Sequence, residues 1–559
     1  MGRLSMYFLN RYVVVVCTFV TVCFAGRIVA SEPAVIPRPV KMEMAEGTFQ
    51  LSSQTKLFAV GQPTEEARKL LEALRPATGF ELELVEAAPD KNVVVMSLDS
   101  SLAASLGAEG YRLHVTPQRI ELSAAESAGL FYGVQTLLQL LPSEVFASQK
   151  KSGVRWSVPS VRITDYPRFA WRGLLIDPAR HFIPVEDVKR FIELMALHKF
   201  NRLQMHLTDN IGWRVEIERY PDLTRLASGR DRSGGSGGFY TQEQIRELVR
   251  FAARHHVTIV PEIEMPYHAG AAINAYPRLG VNPGRVEGLS LDERWGKLGG
   301  LMAPRPETVA FMQNVLREVM ELFPGQFIHI GGDEANLNLW SEDPELKSLM
   351  KELGCDDAHE LHSWFIKKMD AFLTKHKRRM IGWDEILQGG LAPGATVMSW
   401  RGVQGGITAA KAGHDVVMAP TSHTYFDYRQ HPSEKGLGRN VITLQKVYSF
   451  QPIPSALTAK EADHVLGGQA QLWGELIPNE PRREYMAYPR ACALIETLWS
   501  PKTQRDFAQF ARRLKRHCDR LDTLQVNYRP LDKALFPEKR CHGHGVKVSG
   551  TVFAQQLVQ

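Results

Sequence analysis

The sequence predicts an α/β protein in which a (β/α)8 barrel follows a smaller α+β unit. Three observations predict it. From Trp171 onward, short apolar runs alternate with amphipathic helical stretches. Eight such runs can be placed, the strand count of a closed parallel barrel. Ahead of them, residues 31–165 show strand, hairpin and single-helix patterns without that alternation.

Taken in order, the chain opens with arginines at Arg3 and Arg11, then a run from Tyr12 to Ala25 that is apolar apart from threonine. Residues 1–30 read as a secretory signal peptide. An uncleaved anchor is the other reading, but the run is short for a bilayer span. No later run is long and apolar enough to span, so an exported product without a membrane span is expected. In residues 31–165, Pro37 and Pro39 mark an extended start and Val93 to Met96 a buried strand. Tyr111–Val115 and Arg119–Leu122 alternate around a Thr116-Pro117-Gln118 turn, which predicts a hairpin. Gly129 to Leu138 has helical spacing. This unit carries nothing that looks catalytic, and its expected role is structural.

The barrel is expected over residues 166–530. Its strands are predicted near Arg172–Asp177, Arg202–Leu207, Val257–Ile263, Phe327–Gly331, Met380–Trp383, Thr396–Trp400, Val416–Ala419 and Gln469–Leu472. Amphipathic helices such as Pro184–His198 and Pro306–Leu322 lie between many of them. Residues 531–559 lack periodicity and read as a tail.

Composition narrows the function classes. The chain has 559 residues, is 44% hydrophobic and has a net charge of +6, three of its cations being Arg3, Arg11 and Arg27. That balance is too weak to argue for nucleic acid or an anionic surface. Of six cysteines, Cys17 and Cys23 lie in the signal. Cys355, Cys492, Cys518 and Cys541 make no disulfide framework, although Cys518 and Cys541 are a candidate pair after export. No Cys/His spacing suits zinc, and no cofactor or metal is expected.

The functional signal lies where strands end. Those ends carry Asp177, His206 with Asp209, Glu262 with Glu264 and His268, Asp333 with Glu334, Trp383 with Asp384, Trp400, Tyr425 with Asp427, and Trp473 with Glu475. In a (β/α)8 barrel the C-terminal strand ends form the site. Carboxylates mixed with tryptophans suit a sugar, because aromatic faces cover pyranose C–H faces while charged groups bind hydroxyls. Two carboxyl groups are also the usual machinery of glycoside hydrolysis. Yet Asp333 and Glu334 are adjacent, and neighbouring side chains on an extended strand end diverge. Read alone, the pair could equally cap a helix, and each tryptophan could equally be core.

Taken together the motifs resemble glycoside hydrolase family 20, the β-N-acetylhexosaminidases, from about residue 37 to 530. They are Trp171-Arg172-Gly173, Asp177-Pro178-Ala179-Arg180-His181-Phe182, His206-Leu207-Thr208-Asp209, Gly237-Gly238-Phe239-Tyr240-Thr241 and Pro261-Glu262-Ile263-Glu264-Met265-Pro266-Tyr267-His268. The signature His329 to Glu334 follows, then Gly382-Trp383-Asp384-Glu385, Tyr425-Phe426-Asp427-Tyr428, Lys446-Val447-Tyr448-Ser449-Phe450, Gln471-Leu472-Trp473-Gly474-Glu475 and Leu524 to Arg529.

The resemblance implies exo-acting hydrolysis of terminal β-linked N-acetylhexosamines from oligosaccharides or glycoconjugates, retaining and assisted by the substrate's own acetamido group. It implies Glu334 as general acid/base and Asp333 as the group that holds the acetamido N–H. Arg172, Asp427 and Glu475 are implied for polar sugar contacts, Trp383, Trp400 and Trp473 for aromatic walls, and Tyr425 for the acetamido oxygen. Asp177, His206, Asp209, Glu264 and His268 are implied as a supporting shell.

Three positions depart from the family's pattern: Glu264 where Asp is usual, Tyr267 where Gly is usual, and Asn210 where a second Asp is frequent. Glu264 is expected to displace its support of His268, and Tyr267 to narrow the pocket mouth. Two rival readings remain: a sugar-binding barrel without catalysis, and a conventional retaining glycosidase with a protein nucleophile.

Overall fold

The computed structural model describes residues 33–531, apart from 61–63, 291–292, 294–295, 298 and 435–439. The signal-peptide reading, almost all of the tail, and Cys541 lie outside the described residues. The described residues from Ala34 to Leu531 form one compact unit built on two sheets.

The first sheet has seven strands: β1 (Lys41–Gln50), β2 (Lys56–Val60), β3 (Glu83–Val85), β4 (Val93–Leu98), β5 (Tyr111–Val115), β6 (Arg119–Ala124) and β7 (Ser157–Asp165). Their order is β1-β7-β5-β6-β4-β2-β3. β5 and β6 make the expected antiparallel hairpin, with Tyr111 opposite Ala124 and Val115 opposite Ile120. The helix Ser127–Leu140 is buried from Gly129 to Leu140 except at Gln135. It is apolar on nearly all sides because it is covered on nearly all sides. Leu130 and Leu137 join the main core, while Gln139 donates to the Ile36 carbonyl (2.8 Å) and Tyr132 meets the base of the barrel.

The second sheet closes on itself. Its strands are β8 (Trp171–Ile176), β9 (Arg202–His206), β10 (Thr258–Glu262), β11 (Phe327–His329), β12 (Arg379–Trp383), β13 (Thr396–Ser399), β14 (Val416–Met418) and β15 (Val465–Leu472). All neighbours are parallel, and β15 pairs with β8 to close the barrel. β15 starts at Val465, four residues before the predicted Gln469, and includes Gly467 and Gly468. Gly467 lies so close to β8 that a Cβ would strike the Trp171 carbonyl. Trp171, Leu175, Val260, Phe327, Ile381, Met398 and Val417 form one buried cluster contributed by six of the eight strands. On β10, Glu262 is in register with both His206 and His329. Parallel strands buried on both faces read as apolar runs, which made them recognisable, and each is followed by a loop that projects a functional side chain.

Arg172 corrects one expectation. It is the second residue of β8, at the end of the barrel opposite those loops, and is fully buried. Its guanidinium makes paired 2.8 Å bonds to Glu109 and also donates to Tyr132 Oη (3.2 Å), the Lys199 carbonyl (2.8 Å) and the Phe169 carbonyl (2.9 Å). With every face engaged, Arg172 locks the barrel base to the first sheet's unit and has nothing left for a ligand.

Candidate active site

The site is built on the turn after β11. Gly331 and Gly332 have φ of 68° and 92°, and Glu334 itself has φ of 52°. A side chain at Gly331 would collide with the Glu264 carboxylate, so glycine is required twice over there. The chain is therefore not extended at the acidic pair, and the expected divergence of Asp333 and Glu334 does not occur. Both point at one imidazole. Glu334 Oε2 lies 3.2 Å from His268 Nε2, and Asp333 Oδ2 lies 3.6 Å from the same nitrogen. They differ in exposure: the Asp333 side chain is 12% exposed and that of Glu334 54%.

His268, also at positive φ (54°), rests its Nδ1 against Asp209 Oδ2 at 3.4 Å. Asp209 in turn meets Arg180 Nη2 (2.7 Å) and His206 Nε2 (2.9 Å). His206 Nδ1 lies 2.7 Å from Glu262 Oε2. Glu262 also accepts from Gln204 (2.8 Å) and the Trp383 indole (2.9 Å), and its Oε1 lies 3.1 Å from His329 Nδ1. Alternating acids and bases thus run from the half-exposed Glu334 to the closed interior of the barrel.

Their charges follow from these contacts. Burial would depress His206, but Glu262 outweighs it and pushes the imidazole up to about 9. Burial likewise opposes charge on His268, yet Asp209, Glu334 and Asp333 hold it well above the ordinary histidine value. Burial works against ionisation of Asp209, and Arg180 and His268 overcome it and hold the carboxyl well below its usual range. The His268 hydrogen bond lowers Glu334, whereas burial raises Asp333 against the pull of the same imidazole.

Glu264 is displaced from His268, in line with its longer side chain. It does not support that histidine. It is buried against Gly331, with Oε1 3.8 Å from His206 Nδ1, and no donor hydrogen-bonds to either of its oxygens. Burial, then the carboxylates of Asp333, Glu262 and Asp209, push it well above the usual range, so it is held as a neutral acid. Asn210 approaches His268 Nδ1 at 3.4 Å and accepts from the Gly270 amide at 3.1 Å. Tyr267 packs its ring 4.6 Å from His268 and against the cluster of Val281, Leu301 and Trp340, so it braces the histidine.

The other strand ends complete a pocket. Arg180 pairs with Asp177 (3.0 Å) and approaches Glu475 (3.8 Å) while stacking 5.1 Å from the Trp473 ring. Asp177 also accepts from the Gly474 amide at 2.8 Å, fastening the end of β15 to that of β8. The Trp383 and Trp473 ring centroids are 5.7 Å apart, and Trp400 stacks on Tyr425 at 6.1 Å. Burial first, then Asp427, keep the Tyr425 phenol protonated and able to donate. Burial and the nearby Glu475 push Asp427 well above the carboxylate range. Asp333 Oδ1, Asp427 Oδ1, Gln471 Oε1 and Glu475 Oε2 are buried polar atoms without protein partners, a concentration that suits a ligand rich in hydroxyl and amide groups.

Two acidic–histidine groups here, His206 with Glu262 and Glu264, and His268 with Asp333 and Glu334, have ligand atoms within 4.8 Å of one another. Both ring nitrogens of each histidine already face carboxylates, so the groups are built as ion pairs. Arg180, Glu262, His329 and Glu385 were within the quoted motifs but were not given roles. Their signal was position: each stands at or just beyond the last residue of a strand.

A model described as the catalytic domain of glycosyl hydrolase family 20 matches residues 169–502, and one for domain 2 of that family matches residues 32–166. A β-hexosaminidase of Porphyromonas gingivalis is 40% identical over 502 residues, covering 88% of this chain, which spans 64% of that relative's length. A β-hexosaminidase of Akkermansia muciniphila is 37% identical over 422 residues, 74% of this chain and 84% of the relative. Among solved structures, an exo β-N-acetylglucosaminidase from Vibrio harveyi in complex with N-acetylglucosamine aligns with a TM-score of 0.80 and 31% identity, covering 89% of this chain and 78% of that one.

Proposed function

Because the chain belongs to glycosyl hydrolase family 20, we propose that it is an exo-acting β-N-acetylhexosaminidase. It removes terminal, non-reducing β-linked N-acetylglucosamine or N-acetylgalactosamine with retained configuration, using the substrate's acetamido oxygen as nucleophile. The observation that carries this reading is the shared imidazole of Asp333 and Glu334. Their oxygens lie 3.6 and 3.2 Å from one nitrogen and within 4.8 Å of each other, which favours two groups acting from one side of a substrate. A protein nucleophile and its acid must instead flank the glycosidic bond, about 5–5.5 Å apart.

The chemistry follows from the two environments. Glu334, half-exposed at the mouth, gives its proton to the departing oxygen. The His268 charge beside it stabilises the carboxylate that this step creates. Asp333, buried between walls, accepts the acetamido N–H and faces the positive charge that develops as the acetamido oxygen closes on the anomeric carbon. Tyr425 donates to that oxygen and orients it. Glu334 then takes a proton from the water that opens the oxazolinium ring, and the second displacement restores the original configuration. Arg180, Asp427 and Glu475 bind the sugar's outer hydroxyls and close that end of the pocket, which suits a chain terminus.

Export is proposed on the N-terminal pattern from Arg3 to Ala25; among the described residues, no helix is long and apolar enough to cross a membrane.

One substrate series tests the mechanism. A β-N-acetylglucosaminide should react far faster than the β-glucoside with the same leaving group, and an N-trifluoroacetyl analogue should be much slower. A thiazoline analogue of the bicyclic intermediate should inhibit more tightly than the product sugar. A glycosyl ester trapped on a carboxylate, or equal rates for the 2-hydroxy sugar, would overturn it.

A further inference from the structure

We infer that Glu385 is a positioning residue that fixes the Trp400 indole and thereby sets the size of the N-acyl group the pocket accepts; the inference rests on the hexosaminidase reading above. Neither residue is adjacent to the acidic pair in sequence. The connection is made by the fold, because β12 and β13 are neighbours in the barrel and their loops leave side by side.

β12 ends at Trp383, and residues 384–387 make a single tight turn with both Asp384 and Glu385 buried. Each grips a different part of the next loop. Asp384 Oδ2 accepts from the Trp400 amide (3.2 Å), the Arg401 amide (3.4 Å) and Ser399 Oγ (3.4 Å). Its Oδ1 accepts from Arg401 Nε at 2.6 Å. Asp384 therefore holds the backbone. Glu385 holds the ring: its Oε2 accepts from Trp400 Nε1 at 2.9 Å. Its Oε1 lies 3.6 Å from Arg401 Nε.

Trp400 needs this second grip. It is only partly buried, unlike Trp383, which is 1% exposed and anchored to Glu262. Its other aromatic contact is the Tyr425 ring, with the two planes 23° apart. A stack of that kind tolerates sliding and tilting, whereas a directed N–H···O bond at the ring's edge does not. Tyr425 is the proposed donor to the acetamido oxygen, so the wall beside it faces the acyl carbon chain. Tilting that wall by one rotamer would admit a longer chain and loosen a methyl.

The groups around Glu385 are the Asp333 and Asp384 carboxyls and the Arg401 guanidinium. Burial, then Asp333, push Glu385 up to about 7. The grip does not depend on which form is present, since a carboxylate and the carbonyl oxygen of a carboxylic acid both accept from an indole N–H.

The test measures kcat and KM for 4-nitrophenyl β-glycosides of 2-amino-2-deoxyglucose carrying N-acetyl, N-propionyl or N-butyryl groups. The parent enzyme should lose kcat/KM steeply along that series. Glu385→Ala should raise KM for the N-acetyl substrate and shrink the acetyl-to-butyryl ratio about tenfold, the effect of losing one directed hydrogen bond. Glu385→Gln, whose amide oxygen accepts the same N–H, should keep the parent's ratio. Trp400→Phe, which loses the N–H from the other side, should relax the ratio as Glu385→Ala does, and it carries the test if Glu385→Ala does not fold. An acetyl-to-butyryl ratio unchanged in these variants would overturn the inference and leave the hexosaminidase reading standing. A parent enzyme inactive on the N-acetyl substrate would overturn that reading and this inference with it.

Discussion

Replacing His268 by glutamine should move the whole pH–rate profile to higher pH. The reason is that one cation faces both carboxyls of the acidic pair, at 3.2 Å from Glu334 and 3.6 Å from Asp333. Unit charges 3.2 Å apart interact by about 1.3 kcal/mol at the dielectric of water and about 5 kcal/mol at an effective value of about 20. With its side chain 54% exposed, Glu334 belongs near the watery end, so losing the cation should raise its proton affinity, but only modestly. Asp333 is 12% exposed at a similar distance and should rise by more. Active enzyme needs one of these groups protonated and the other ionised. Whichever carboxyl each limb reports, both limbs should move upward, and the acidic species should persist to higher pH. Glutamine keeps a hydrogen-bond donor near the pair, which separates loss of charge from loss of contact. The assay is kcat/KM from about pH 3 to 9 on a substrate with a poor leaving group, because that parameter reports the free enzyme. Limbs that coincide with the parent's would show that His268 is uncharged in the working enzyme, and the electrostatic argument for the site would fall.

Further variants probe neighbouring parts of the structure. Glu334→Gln should cost ~10²–10⁴-fold on poor leaving groups and much less on activated aryl glycosides, and an unchanged rate on the former would remove Glu334 from the mechanism. Arg180→Lys loses the planar fork that bridges Asp177 and Asp209, so KM should rise about tenfold; Arg172→Lys should lower the melting temperature and leave KM alone, and the opposite pattern would put Arg172 back in the pocket. Acid should weaken the packing between the helices Val185–Leu197 and Phe507–Thr523, where His198 and His517 share a buried 2.9 Å contact. Burial depresses His198 from 6.5 to about 4 and His517 well below its ordinary value, so the stability they contribute is present above about 6.5 and is lost as pH falls toward 4. For His198 alone the loss between pH 7 and 5 is about 2 kcal/mol, and the double variant His198→Gln/His517→Gln should show a smaller drop in urea midpoint over that interval than the parent.

What could be read from the sequence, and what could not, divides by range. The barrel strands were legible because burial on both faces makes each a short apolar run whose end is marked by a polar residue; Phe327–His329 followed by two glycines is such a run. The chemistry was legible because the polar residues cluster at those ends. Asp333 and Glu334 were not placed correctly relative to each other, since the positive φ of Glu334 and of His268 is a property of the closed turn and not of residue type. Glu264 is displaced from His268 for a related reason. His206 is nearer only because β9 lies beside β10, and His268 is carried away by its loop.

The two arginines show where position alone would have sufficed. Arg172 and Arg180 are eight residues apart in quoted motifs, and residue type does not distinguish them. Strand geometry does. A strand rises about 3.3 Å per residue, so a residue four positions before the last one of β8 sits about 13 Å below the loops that form the site. Arg180 lies four residues beyond that strand, within the turn that Asp177 begins, and so reaches Asp209 and Glu475. An arginine at the bottom of a barrel meets other protein, and burial there is tolerable only with its charge fully paired, as Glu109 pairs it. An arginine at the top, here Arg180, is held by Asp177 and Asp209 beside the pocket and is the one proposed to meet the substrate. The same residue type is therefore a structural lock at one end of β8 and, on the proposed function, a recognition group just beyond the other, and the direction of the strand decides which.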